Sequence, residues 1–252
     1  MPPPTQTSLV TGATSGIGLA FSRALAARGD DLVLVARDRV RLDRVAEELR
    51  SAYGGEVRIM PADLATDDGT ALVADVLRLQ AVDLLVNNAG HGTRTSFLDT
   101  PVAEEDGSLD LMVRAPMRLC HAALPGMLDR GRGAVLNVAS VAAFVPRGTY
   151  GAHKAWLVSF TRWLAVRCHR RGVRAMVLCP GFVRTEFHQR MQVDMSSVPG
   201  WMWLDADRVV LDALADLSRG VIVSVPSRRY RFLTRLARLT PPAVAERVSR
   251  RG

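Results

Sequence analysis

Cysteine is scarce in this 252-residue chain: Cys120, Cys168 and Cys179 are odd in number and show neither a CxxC pair nor metal-ligand spacing. That excludes a disulfide framework and a structural metal site as organising principles, and a reduced, cytoplasmic protein is expected. No apolar run approaches the ~18 residues that a membrane span needs. The opening MPPPTQTS lacks the basic and apolar regions of a secretory leader. Aromatic residues make up only 6% of the chain, too few to interleave with basic groups as base-stacking surfaces do, so the net charge of +8 does not read as nucleic-acid binding. Lysine is the rarest of all. Of 33 basic side chains, Lys154 is the one lysine. A chain so biased towards arginine has kept an ammonium at a single position.

What is present is ordinary globular composition, 48% hydrophobic and 23% charged, at a length that suits one α/β domain with a large core. Short apolar runs alternate with helical patterns. Strands are expected near Ser8–Thr11, Asp31–Ala36, Val57–Pro61, Asp83–Val86, Ala134–Val138, Ala175–Leu178 and Gly220–Val225. Helices are expected near Ser15–Arg28, Asp38–Ala52, Asp67–Leu79, Pro101–Asp129, Thr149–Arg171 and Asp205–Leu217. This alternation predicts a single doubly wound domain over residues 5–226, a seven-stranded parallel sheet with helices on both faces. Its ligand crevice should lie at the carboxyl ends of the strands.

The first strand runs into Thr11-Gly-Ala-Thr-Ser-Gly-Ile-Gly18, which opens a helix. A glycine-rich strand–turn–helix lets the backbone approach a phosphate that the helix N-terminus attracts, so a dinucleotide site is expected. The second strand ends at Arg37-Asp38. Arginine there can receive a 2′-phosphate, so NADP(H) is favoured over NAD(H), and Asp38 reads as the N-cap of the next helix. Asp63-Leu64 follows the third strand, Asn87-Asn88-Ala89-Gly90 the fourth, and Ser140 stands at the end of the fifth. Tyr150 and Lys154, four residues apart, share one face of a helix, where a cation can sit beside a phenol. The sixth strand ends in Cys179-Pro180-Gly181-Phe182-Val183-Arg184-Thr185.

In their order and spacing these pieces resemble the short-chain dehydrogenase/reductase family, whose fold is of the Rossmann type. The resemblance spans roughly residues 5 to 225 and implies an oxidoreductase that interconverts a carbonyl and an alcohol. It implies Tyr150 as general acid/base, Lys154 as ligand of the nicotinamide ribose and depressor of the Tyr150 pKa, and Ser140 as hydrogen-bond partner of the substrate oxygen. It further implies that Gly12, Ser15, Gly16, Ile17 and Gly18 line the pyrophosphate side. Asp63 and Leu64 would meet adenine, and Asn87, Ala89 and Gly90 would flank its ribose. Pro180, Gly181, Val183 and Thr185 would seat the nicotinamide. A homo-oligomer is expected on the same analogy.

Two features depart from the family's pattern. Met112 stands where an asparagine usually supports a proton relay, and a thioether donates no hydrogen bond. Either another group, with His91 and His153 as candidates, or a rearranged water chain completes the relay, or the chain is a dinucleotide-binding sensor or partner subunit with little turnover. The Ser140–Tyr150 spacing is also shorter than the family's usual one, which predicts a more open rim. A substrate lid is expected over about 182–204, rich in large apolar groups: Phe182, Phe187, Met191, Met195, Trp201, Met202 and Trp203, with His188 and Arg190 between them. These point to an apolar or amphipathic substrate. The stretch 227–252 reads as a basic amphipathic tail, broken at Pro241-Pro242, that lies on an anionic membrane, packs on a partner, or is a solvated terminal helix.

Overall fold

The structure is a computed structural model that describes residues 6–92, 97–145, 148–186 and 198–239. The strands are β1 (Thr7–Thr11), β2 (Asp31–Ala36), β3 (Val57–Pro61), β4 (Leu84–Asn87), β5 (Gly133–Val138), β6 (Val173–Leu178) and β7 (Val223–Ser224). All pair in parallel, in the order 3-2-1-4-5-6-7. The order reverses between β1 and β4, which opens a crevice above their carboxyl ends.

Successive strand residues serve opposite faces, so runs such as Leu9-Val10 and Val33-Leu34 are apolar throughout. On one face α1 (Gly16–Arg28), α2 (Arg39–Tyr53) and α7 (Ala206–Ser218) bury Phe21, Leu25, Leu42, Leu49 and Val210 against Val10, Leu34 and Leu136. On the other, α3 (Asp67–Leu79), α5 (Ala115–Asp129) and α6 (Gly148–Cys168) bury Val73, Leu119, Met127 and Leu164 against Leu9, Val33 and Leu85. Asp38 caps α2, accepting from Arg41 N at 3.0 Å.

The helix expected over Pro101–Asp129 runs unbroken from Val102 to Asp129 but changes type within its length. It divides into α4 (Val102–Leu109), a π-helical turn (Asp110–Arg114) and α5. The extra residue in the turn is accommodated around Met112, which is fully buried. The helix expected to reach Arg171 ends at Cys168 and tightens into a 3₁₀ turn, His169–Arg171. The last strand is shorter than expected because only Val223 and Ser224 pair with β6. Beyond it, α8 (Arg228–Leu239) begins the basic stretch; Pro241 and Pro242 lie outside the described residues.

Candidate active site

The turn after β1 is held rigidly from β4. The Thr11 hydroxyl accepts from the backbone N–H groups of Asn88 and Ala89 at 2.9 and 3.0 Å, and the Asn88 amide donates to Thr11 O at 2.9 Å. Gly18 is required by close approach: a Cβ there would collide with the Gly12 carbonyl oxygen. Ser15 is the N-cap of α1 but its side chain makes no capping bond, and the first turn carries no acidic residue. The free N–H groups of that turn, with Gly12, Gly16 and Ile17 around them, therefore fit a pyrophosphate. Thr185 lies over the turn, 3.2 Å from where a Gly16 Cβ would stand.

Arg37 is exposed at the end of β2 and pairs with no described residue. The Asp38 carboxylate is occupied by its cap and by Arg41 at 3.5 Å. An unpaired guanidinium at this strand end fits an added phosphate. Asp63 is partly buried and folds back on Ala65 N at 3.0 Å, while the Leu64 side chain is in the core. Asn87 is turned inward: its amide donates to Asn137 Oδ1 at 2.9 Å, and Asn137 donates to Thr161 at 2.8 Å, so it ties β4 to β5 and α6.

At the end of β5 Ser140 is hydrogen-bonded to Tyr150, and its Oγ also accepts from Ala142 N at 3.1 Å. The short link to α6 is taken up by a 3₁₀ turn, Val141–Phe144; Pro146 and Arg147 lie outside the described residues. Lys154 is buried, donates to Val138 O at 2.9 Å and stands 5.7 Å from the centre of the Tyr150 ring. Burial pushes the Tyr150 phenol up to about 12, with Ser140 pulling the other way and Cys179 adding to the rise, and the lowering expected from Lys154 is not among the causes. Burial brings the Lys154 ammonium down to about 8. A phenol that keeps its proton at neutral pH is poised to donate it. Around the pair, a Cβ on Gly90 would lie 3.5 Å from Lys154 Nζ and 3.6 Å from Met112 Sδ, so both side chains border the space beside Gly90.

The chain returns from β6 through Pro180, which is buried and accepts from Val141 N at 3.0 Å. The two ends of the stretch expected to form a lid are joined: Val183 pairs with Leu204, Leu204 N donates to Phe182 O at 2.8 Å, and the Phe182 and Trp203 rings are 5.8 Å apart. Sequence reasoning missed the clamp across them. Tyr230, on α8, accepts from Phe182 N at 3.1 Å and donates to Met202 O at 2.8 Å. Its ring covers Gly181 so closely that a Cβ there would overlap it. Arg229 adds a bond to Trp201 O at 3.0 Å and stacks on that indole. No local signal distinguished this tyrosine within a basic stretch. Phe187, His188, Arg190, Met191 and Met195 lie outside the described residues.

A phosphate-binding turn at the sheet's switch point, beside a Ser–Tyr–Lys cluster, defines a dinucleotide-dependent oxidoreductase site. The profile described as "short chain dehydrogenase" matches residues 6–196, and the chain belongs to the short-chain dehydrogenase/reductase family, whose members are NAD(P)-dependent enzymes acting on CH–OH groups. It is 32% identical over 187 residues to very-long-chain 3-oxoacyl-CoA reductase of Anas platyrhynchos, covering 71% of this chain and 60% of that longer protein. Its fold is similar to a short-chain dehydrogenase from Sphingobium yanoikuyae in complex with NADPH, with TM-score 0.85, 33% identity and coverage of 92% and 93% of the two chains. It is also similar to the bulky-bulky ketone specific alcohol dehydrogenase from Comamonas testosteroni, with TM-score 0.81, 30% identity and coverage of 92% and 91%.

Proposed function

We propose that this protein is an NADP(H)-dependent oxidoreductase that interconverts a carbonyl and an alcohol on a bulky apolar or amphipathic substrate, with Tyr150 as general acid/base. The observation that carries the reading is the Ser140–Tyr150 hydrogen bond beside the buried Lys154 ammonium. The nicotinamide supplies the hydride when bound. Tyr150 gives the substrate oxygen its proton, and Ser140 steadies the charge that develops there. Lys154 is placed to hold ribose hydroxyls, and Pro180, Gly181, Val183 and Thr185 to hold the nicotinamide end. Arg37 receives the 2′-phosphate. The substrate class rests on Phe182, Trp201, Met202 and Trp203 at the lid roots, and on similarity to a ketone-reducing enzyme named for bulky substrates.

A homo-oligomer in the cytoplasm is part of the proposal. Trp163 and Val166 on α6 are 58% and 73% exposed, apolar area that a second copy would cover. α8 presents Phe232 and Leu236 among Arg228, Arg231 and Arg235, chemistry suited to an anionic lipid surface. Equal liposome co-sedimentation of the full chain and of a chain ending before Ser227 would remove that last element.

One observation favours a second reading, a cofactor-binding sensor with little turnover: Met112, fully buried and bordering Gly90 as Lys154 does, puts no hydrogen-bond donor there. Following NADPH oxidation over a panel of bulky aryl ketones and aldehydes separates the two. Turnover lost in Tyr150→Phe supports the enzyme; tight NADPH binding with no Tyr150-dependent turnover supports the sensor.

A further inference from the structure

Behind Lys154, where α4 and the π-helical turn pack on α6, lies a polar cluster that no step so far uses. Glu105 is buried while its neighbours Glu104 and Asp106 are exposed, and neither of its carboxylate oxygens has a hydrogen-bond partner among the described residues. His153, the residue before Lys154, is also buried, with its Nδ1 equally unpartnered. Ser108, buried one turn along α4 from Glu105, has its Oγ 3.5 Å from His91 Nε2. His91 itself is exposed. Packing alone does not call for these groups: an unpaired buried carboxylate is costly, and an apolar side chain of similar size fills such a space more cheaply. π-Helical turns are frequent at functional sites, and this one carries Met112 and packs on α6, the helix of His153 and Lys154.

We infer that Glu105 and His153 form a buried proton-exchange pair which, with Ser108 and His91, connects Lys154 to solvent and replaces the polar group that Met112 cannot supply. The inference rests on the reading of Tyr150 as general acid/base. In the reduction direction Tyr150 loses one proton to the substrate oxygen. The phenolate regains it from the Lys154 ammonium, and the resulting amine is reprotonated by way of His153. The imidazole is recharged from water by way of Glu105, Ser108 and His91. One proton enters from solvent for each alcohol formed, and every residue returns to its starting state. The groups feel one another: burial lowers the His153 pKa, the Glu105 carboxylate opposes that, and Lys154 and His91 add to it. The Lys154 ammonium, down to about 8 through burial, gives up its proton within reach of neutral pH. Glu105 and His153 act through Lys154 and are positioning residues.

Because Lys154 is the only lysine, protein labelled with ¹⁵Nζ,¹³Cε-lysine reports this site with a single signal and needs neither cofactor nor substrate. The measurement is exchange of the Lys154 Nζ protons with water, by NMR, in the wild type, His153→Gln, Glu105→Gln and the milder Ser108→Ala. Exchange should slow about a hundredfold in the first two variants, the low end of what a positioned acid or base contributes. The His153 titration should move to lower pH in Glu105→Gln. Wild-type exchange in all three variants, or a His153 titration unmoved by Glu105→Gln, overturns the inference. If Glu105→Gln does not fold, His153→Gln and Ser108→Ala still decide it. Absence of Tyr150-dependent turnover would instead refute the catalytic reading and leave the exchange result standing.

Discussion

The ammonium of Lys154 is held by the main-chain oxygen of Val138 at 2.9 Å, in a site that leaves it 4% exposed. That bond aims the side chain at Tyr150 and Gly90, and it is achieved at the expense of stability. The fall from 10.5 to about 8 corresponds to about 3 kcal/mol against folding, partly offset by a hydrogen bond worth about 1–3 kcal/mol to a buried group. Between these two pKa values the unfolded lysine still holds its proton while the folded one has lost it, so stability rises with pH across that window. The burden is greatest below pH 8.

Lys154→Met should therefore melt higher than the wild type at pH 7, by a few degrees, and lose that advantage as the pH approaches 10.5. Thermal melts of both proteins at the two pH values check this. A variant destabilised equally at both would show that the ammonium is not strained by burial.

Arg37 stands exposed at the end of β2, paired with no described residue, while Asp38 is occupied by its cap. Arg37→Asp should weaken NADPH by about tenfold or more, the loss of a charge-assisted hydrogen bond of about 1.5–3 kcal/mol, and leave NADH nearly unchanged. Titration of intrinsic fluorescence with each cofactor measures both constants.

Tyr230 joins the two ends of the proposed lid through Phe182 and Met202. Tyr230→Phe keeps the ring over Gly181 but leaves a buried donor and acceptor unmatched, about 1–3 kcal/mol. The melting temperature should fall by several degrees, and KM should rise more than kcat falls if, as proposed, this stretch closes over substrate. Gly181→Ala, which cannot coexist with the ring, should be the more damaging of the two.

Much of this was legible in the sequence, and the reason is locality. A parallel strand buried on both faces is a continuous apolar run, a phosphate turn needs glycines at short spacing, and Asp38 announces a cap two residues after a strand. Tyr150 and Lys154 were recognisable because helical spacing puts them together. The π-helical turn left no mark, since 110–114 keeps an ordinary helical pattern and only tertiary packing selects the extra residue. Glu105 reads as one of three consecutive acids on a solvated helix; its burial against α6 is a fact of three dimensions. Tyr230 was hidden for the same reason, 48 positions from the Phe182 amide that it binds. Where the crevice meets distant chain, local pattern has nothing to report.

The central claim is that the Tyr150 hydroxyl transfers the proton. Steady-state NADPH oxidation with a bulky aryl ketone that the wild type reduces, run in parallel on Tyr150→Phe, tests it most directly. Loss of a positioned general acid predicts a fall of about 10²–10⁴-fold in kcat, with NADPH affinity retained because Arg37 and the α1 turn are untouched. A Tyr150→Phe enzyme that turns over at the wild-type rate would contradict the account.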